Sequence, residues 1–130
     1  MEQSVVQVAR YILGFSWIYH GLFPKLLTVA PLERELTATL GLSNDLSLLV
    51  TRAAGVCEIG FGLLLFIFYT SRSLLLLNTL VLFLLGLFVA VQMPLLLIEA
   101  FNPVTTNLAL LGLSYVLLVN ANASAASFEQ

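Results

Sequence analysis

The chain has 130 residues, of which 60% are hydrophobic and 9% are charged, and its formal net charge at pH 7 is -2. A soluble domain usually carries about 25% charged residues, so this composition excludes an ordinary water-facing surface and predicts an integral membrane protein. No run of Lys and Arg occurs, which removes the electrostatic basis for binding nucleic acid. A single Cys57 and a single His20 exclude an intramolecular disulfide, a thiolate metal site and a pair of haem ligands.

Four apolar stretches predict four membrane-spanning helices, because a spanning helix needs about 20 mainly apolar residues. The predicted spans are residues 4–23, 46–69, 74–98 and 104–120. The first stretch does not resemble a cleaved signal peptide, since Arg10 lies inside it and aromatic residues stand where cleavage needs small ones. We therefore expect it to remain in the mature protein.

The connections between the spans predict an all-α, antiparallel four-helix membrane bundle forming a single domain, residues 1–130. Pro24 follows the first span, polar residues 70–73 separate the second from the third, and Asn102-Pro103 precedes the fourth. Short links favour antiparallel neighbours.

The long connection, residues 25–45, contains a short amphipathic pattern at residues 31–41. Pro31 suits a first helical turn, Leu32, Leu36 and Leu40 recur at every fourth position, and Gly41 can end the helix. We expect this helix to lie on the bilayer surface.

Two further features concern helix ends. Pro94 predicts that the third helix kinks or stops near Gln92, leaving residues 94–101 irregular. The tail after Asn120, rich in Ala, Ser and Asn, is expected to be loose.

Three charged residues fall inside predicted spans, where a central charge costs roughly 2.5–3.5 kcal/mol unless it has a partner or a task. They are Arg10, Arg52 and Glu58. At about 1.5 Å per residue, Arg10 and Glu58 lie at similar depths, about 20 and about 18 Å from the side of the long connection. The count predicts an ion pair between Arg10 and Glu58.

Small residues define a face on each of the first two helices. The stripe on the first helix consists of Arg10, Gly14, Trp17 and Gly21, and the face on the second consists of Thr51, Gly55, Glu58 and Gly62. Because small residues let helix backbones approach closely in lipid, we expect these two faces to pack together.

A polar pocket is predicted toward the long connection. Its lining residues are Arg10, Trp17, His20, Arg52, Glu58 and Asn107. Simpler readings stay open: Arg52 snorkels to the interface, His20 is a structural donor, Trp17 belongs to an interfacial belt, and Glu58 is held in a structural pair.

Three segments resemble the DoxX-like family of small membrane proteins. They are RYILGFSWIYHGLFPK at residues 10–25, RAAGVCEIGFG at 52–62 and FNPVTTN at 101–107. The resemblance implies a four-helix bundle, an association with membrane redox systems such as thiosulfate-to-quinone electron transfer or oxidative-stress complexes, and cytoplasmic termini in a bacterial inner membrane. The positive-inside rule adds little, because Lys25 and Arg34 are nearly balanced by Arg72 and Arg10.

The leading functional hypothesis is a membrane subunit, not an enzyme by itself, that binds a quinone or a lipid headgroup. Arg10 and Arg52 would donate to ligand oxygens, Trp17 would stack, and Glu58 with His20 would exchange protons. No catalytic residue and no metal ligand is assigned. A proton-coupled transporter acting as a homo-oligomer and an assembly or scaffold protein remain alternatives, and the expected partners are the lipid bilayer, a second copy or a redox protein.

Overall fold

A computed structural model describes residues 3–128, with side chains as far as residue 123. The described part is helical and contains no strand, which confirms the all-α prediction. The elements in chain order are α1 (Gln3–Gly21), a π-helical turn (Leu22–Leu27), α2 (Pro31–Ala38), α3 (Asn44–Ile67), α4 (Arg72–Gln92), a short 3-10 helix (Pro94–Ile98) and α5 (Pro103–Phe128).

Local side-chain chemistry sets the starts of the helices. The Ser71 hydroxyl accepts from the Leu74 N–H at 3.5 Å and caps α4. The Asn102 Oδ1 accepts from the Thr105 N–H at 3.0 Å at the start of α5. These groups satisfy N–H donors that have no partner inside a helix. The predicted stop of the third helix is confirmed, because α4 ends at Gln92.

Two helix ends differ from the prediction. Pro24 was expected to end the first helix, but the chain continues through the π-helical turn, which closes with a 3.2 Å bond from the Thr28 N–H to the Phe23 carbonyl. The wider turn accommodates a residue that lacks an N–H and whose ring would collide with a regular preceding turn. The tail after Asn120 is not loose as far as Phe128, because α5 continues to that residue; residues 129–130 lie outside the described part.

Within the part of the chain that the structure describes, three helices are long and apolar enough to cross a membrane: α3, α4 and the Pro103–Ala123 part of α5. Only 17–22% of each spanning window is buried, so most of the apolar side chains face outward, as they do in helices surrounded by lipid. α1 has 19 residues but is not among the three. Gln3, Gln7, Arg10 and His20 lower its mean hydropathy, and its role as a fourth span stays a prediction.

The chain forms two compact units, and α1 and α3 each contribute residues to both. The first unit contains residues 1–13 and 64–130, and the second contains residues 14–63. In the first unit α4 and α5 pack around a polar contact, in which the Asn78 Nδ2 donates to the Ser114 Oγ at 2.6 Å. Both side chains are fully buried, with Leu75, Leu82 and Leu117 in the same core.

The second unit is organised by two glycine pairs that join α1 to α3. A Cβ atom on Gly62 would lie 2.7 Å from the Gly14 carbonyl oxygen, and one on Gly55 would lie 2.7 Å from the Gly21 carbonyl oxygen. The pairs run in reverse order along the two helices, so these segments are antiparallel. The predicted packing of small-residue faces is confirmed.

Candidate functional site

A lysine bridges two carboxylates in the second unit. The Lys25 Nζ lies 2.5 Å from the Glu58 Oε1 and 3.6 Å from the Glu33 Oε1. The side chains of Lys25 and Glu58 are each 13% exposed. This acidic cluster, defined as Lys25, Glu33 and Glu58, unites residues from the π-helical turn, α2 and α3.

The close approach of α1 and α3 explains how Lys25 reaches Glu58. Gly21 faces Gly55, and a Cβ atom on Gly21 would lie 3.0 Å from the Glu58 Cβ. Lys25 stands four residues after Gly21, and the π-helical turn keeps it on the side of α3, where its Cβ lies 2.9 Å from the position a Cβ on Gly55 would take. The missing side chains of the two glycines therefore make room for the ion pair.

Glu33 is the third member of the acidic cluster. Burial raises the pKa of its carboxyl, the nearby Lys25 ammonium opposes this shift, and the Glu58 charge adds to it. The burial effect is the largest of the three. Glu33 therefore binds a proton more readily than an exposed glutamate does.

Three buried side-chain atoms in the described part of the chain have no hydrogen-bond partner. They are the Glu58 Oε2 of the acidic cluster, the Thr51 Oγ1 and the Arg10 Nε. An unsatisfied buried polar atom costs about 1–3 kcal/mol, and more when it belongs to a charged group. The Glu58 Oε2 therefore has an unused capacity to accept a hydrogen bond.

Two aromatic residues of the predicted pocket also lie in the second unit. Trp17 is 6% exposed and packs edge-to-face on Phe61 with ring centroids 5.0 Å apart. His20 is exposed and interacts electrostatically with both Glu58 and Lys25. The predicted proton exchange between Glu58 and His20 stays a prediction.

The predicted pair between Arg10 and Glu58 is wrong, since Glu58 pairs with Lys25. Arg10 belongs to the first unit, where its Nη1 donates to the Gln7 Oε1 at 2.9 Å and its guanidinium lies 4.4 Å from the centre of the Tyr69 ring. The depth count failed because it ended the first helix at Phe23, whereas the π-helical turn carries Lys25 onward beside α3.

The remaining two predicted residues have different surroundings. Arg52 has an exposed side chain on α3. The Asn107 Nδ2 donates to the Leu82 carbonyl oxygen at 3.3 Å, which ties α5 to α4 in the first unit. The assignment of Arg10, Arg52 and Asn107 to a ligand pocket remains a prediction.

The sequence analysis does not assign Lys25, Glu33 or Asn78 to a site. Glu33 lies in the predicted surface helix, where a charged residue is ordinary. Asn78 could have been found, since it is an amide within the Leu-rich α4, and polar side chains in spans usually have partners.

An apolar groove lies in the first unit. Its lining residues are Ser4, Val5, Val8, Ala9, Leu113 and Val116. None of the predicted pocket residues lines it. The groove offers contact to a hydrocarbon chain but no charged group to a polar ligand.

Comparison with known proteins gives one result. The model of a family described as the DoxX-like family matches residues 14–115, which is more than half of the chain. Searches of the curated proteins and of the solved structures each found no match.

Proposed function

Since the chain belongs to the DoxX-like family of membrane proteins, we propose that it is a non-catalytic membrane subunit that binds a quinone at the acidic cluster. The observation that supports this proposal is the buried Glu58 Oε2, which has no partner among the described residues. A hydroxyl of the reduced, quinol form would donate to this oxygen.

The charges of the cluster favour a neutral ligand. Glu33 and Glu58 together carry two negative charges against the single positive charge of Lys25. The phosphate of an anionic lipid headgroup would meet net repulsion there, whereas a quinone or quinol brings no charge. Of the two ligand classes suggested by the sequence, the quinone is therefore the better match.

Neighbouring residues have roles in this proposal. Lys25 donates to the second oxygen of the ligand, and His20 exchanges a proton with water. Trp17 provides an aromatic surface on the same stripe of α1 as Gly14 and Gly21. Arg10, Arg52 and Asn107 would act outside this centre.

Trp17 supplies the test, because it is the single tryptophan of the chain. A short-chain quinone kept in its reduced, quinol form and titrated into detergent-solubilised protein should quench its fluorescence with a saturable component. Glu58→Gln removes the charged acceptor and should weaken the apparent affinity roughly tenfold, since a hydrogen bond to a charged group contributes about 1.5–3 kcal/mol.

Cys57→Ser is the matched control, because Cys57 is the neighbour of Glu58 on α3 and its side chain is exposed. Its titration should equal that of the unaltered chain. Quenching that rises linearly without saturation in all three proteins would show simple partition into the detergent and would refute the proposal. The emission maximum of Trp17 reports whether Glu58→Gln keeps the fold.

A proton-coupled carrier is the second candidate, favoured by the raised pKa of Glu33 beside a lysine and a second carboxylate. Such a group takes up a proton at a higher pH than an exposed glutamate does. Acidification of liposomes containing the protein, driven by a candidate substrate gradient and lost in Glu33→Gln, would favour this function over simple binding.

The scaffold alternative receives less support. A scaffold of this kind would offer its glycine-rich faces to other proteins. In this structure the faces pack against each other within the chain, through Gly14, Gly21, Gly55 and Gly62. We retain from the family the proposal of a bacterial inner membrane location with cytoplasmic termini and of a homo-oligomer or a redox protein as partner.

A further inference from the structure

The helix α2 contacts the rest of the second unit through one face. The Thr37 Oγ1 forms a hydrogen bond with the Ser47 Oγ at the start of α3. One turn earlier, Glu33 reaches Lys25 at 3.6 Å. Residues four apart lie on the same side of a helix, so both contacts belong to a single face of α2.

This attachment is slight compared with that of the long helices. No residue of α2 is fully buried. Glu33, Leu36 and Thr37 are half-buried, and the other five residues of α2 are exposed. An element with few buried contacts opens locally at a lower free energy than the core does.

Non-helical residues lie at both ends of α2. Thr28 and Ala30 are extended before it, with ψ angles of 110° and 143°. Gly41 follows it with a φ of +73°, a left-handed conformation that favours glycine. Short non-helical linkers therefore separate α2 from the π-helical turn and from α3.

α2 is linked to Glu58 through the acidic cluster. Lys25 contacts Glu33 on α2 and Glu58 on α3 at once, so movement of α2 would withdraw one of the two carboxylates from the ammonium. The position of α2 and the surroundings of Glu58 are thus coupled through Lys25.

We infer that α2 is a hinged lid that closes at the contact of Thr37 with Ser47 and controls access from water to Glu58. The inference rests on the proposed function only for the identity of the molecule that enters. Access itself is a property of the protein and can be measured without any quinone.

The test locks the lid with a disulfide. Thr37→Cys and Ser47→Cys are introduced in a Cys57→Ser background, and the oxidised and reduced proteins are treated with a water-soluble carbodiimide and glycinamide. Mass spectrometry then measures labelling of Glu58. We expect oxidation to lower this labelling roughly tenfold, because labelling follows the population of the open state. Labelling of the exposed Glu35 should not change.

Two controls make the result decisive. The Thr37→Cys, Cys57→Ser protein cannot form the disulfide and should label equally with and without oxidant. Ser47→Ala removes one partner of the closing contact and should increase labelling of Glu58. Equal labelling of Glu58 in the locked and reduced proteins, or failure of the two cysteines to join, would overturn the inference.

The outcome is independent of the quinone titration. A locked lid that protects Glu58 in a protein that shows no saturable quenching would refute the proposed ligand and leave the lid intact. Saturable quenching in a protein whose Glu58 is not protected by the locked lid would refute the lid and support the proposed ligand.

Discussion

Lys25 and Glu58 form an ion pair in a largely apolar setting, and each side chain is 13% exposed. Removing one partner of a buried pair leaves an uncompensated charge and costs about 3–5 kcal/mol, although the pair itself adds little net stability. The Glu58 Oε2 has no hydrogen-bond partner among the described residues, which adds to the cost of keeping this carboxylate buried.

The glycines opposite each other on α1 and α3 lead to a prediction for substitutions. Gly55→Ala places a methyl group 2.7 Å from the Gly21 carbonyl oxygen and 2.9 Å from the Lys25 Cβ. The backbones must separate, so we expect a loss of about 1–3 kcal/mol of unfolding free energy. Thermal unfolding in detergent, followed by circular dichroism, measures this change.

Gly60→Ala is the matched control on the same helix, because a Cβ atom there meets nothing within 4 Å. Its unfolding midpoint should be unchanged or higher, since Ala is the better helix former. Equal losses for Gly55→Ala and Gly60→Ala would show that the close approach of α1 and α3 does not stabilise the protein.

Single residues also show what the sequence could reveal. The spacing of Gly14 and Gly21 and of Gly55 and Gly62 is visible in the sequence, and the faces it predicts do pack. The partner of Glu58 was not accessible in the same way. Pairing depends on register between helices, and a π-helical turn shifted the position of Lys25 without any marker except Pro24.

At the scale of elements, α2 lies within the long connection and contributes Glu33 to the acidic cluster. Its buried carboxyl faces Lys25 from the π-helical turn and Glu58 from α3. Because the pKa of Glu33 is raised on folding, the folded state binds more protons than the unfolded state. Stability is then highest below the ordinary pKa of a glutamate and falls as pH rises through the raised pKa.

We therefore predict that the unfolding midpoint falls as pH rises from the ordinary glutamate range toward neutrality, and that Glu33→Gln reduces this slope. Thermal unfolding at a series of pH values is the measurement. Glu35→Gln, on the exposed part of α2, should leave the slope as it is. The same reduction in both variants would attribute the effect to charge in general and not to burial of Glu33.

Helix boundaries were predictable where a side chain marks them. Ser71 caps α4, Asn102 caps α5, and Pro94 follows the end of α4. The tail rich in Ala, Ser and Asn predicts a loose segment, but α5 continues beyond Asn120 because Ala is a strong helix former.

At the scale of the whole molecule, the number of spans decides the topology. Three helices meet the length and hydropathy expected of spans, and α1 does not. The polar residues that lower its hydropathy include Arg10 and Gln7, which contact each other and Tyr69. A polar group with a partner costs less in lipid than an isolated one. The Arg10 Nη1 has such a partner, although the buried Nε has none among the described residues, and we expect α1 to span as well.

Four spans place both termini on the same side of the membrane, whereas three place them on opposite sides. Reporter fusions at each end, one active only inside the cell and one only outside, distinguish the two topologies. We predict that both fusions report the cytoplasm. Opposite reports from the two ends would remove α1 from the set of spans.

The family and the helical class were visible in the whole sequence, because they rest on composition and on three long segments that retain their order. The site was visible only in part. Glu58, Trp17 and His20 are visible as candidates because charged and polar side chains in a span need a partner or a function. The sequence does not show directly which helices bring these residues together.

A pair of double-mutant cycles tests directly whether Lys25 or Arg10 is the partner of Glu58. Unfolding free energies in detergent are measured for Lys25→Met, Arg10→Met, Glu58→Gln and the two double variants that contain Glu58→Gln. We predict a coupling of more than about 1 kcal/mol between Lys25 and Glu58 and additivity within about 0.5 kcal/mol between Arg10 and Glu58. Additivity between Lys25 and Glu58, together with strong coupling between Arg10 and Glu58, would show that Arg10 and not Lys25 is the partner of Glu58.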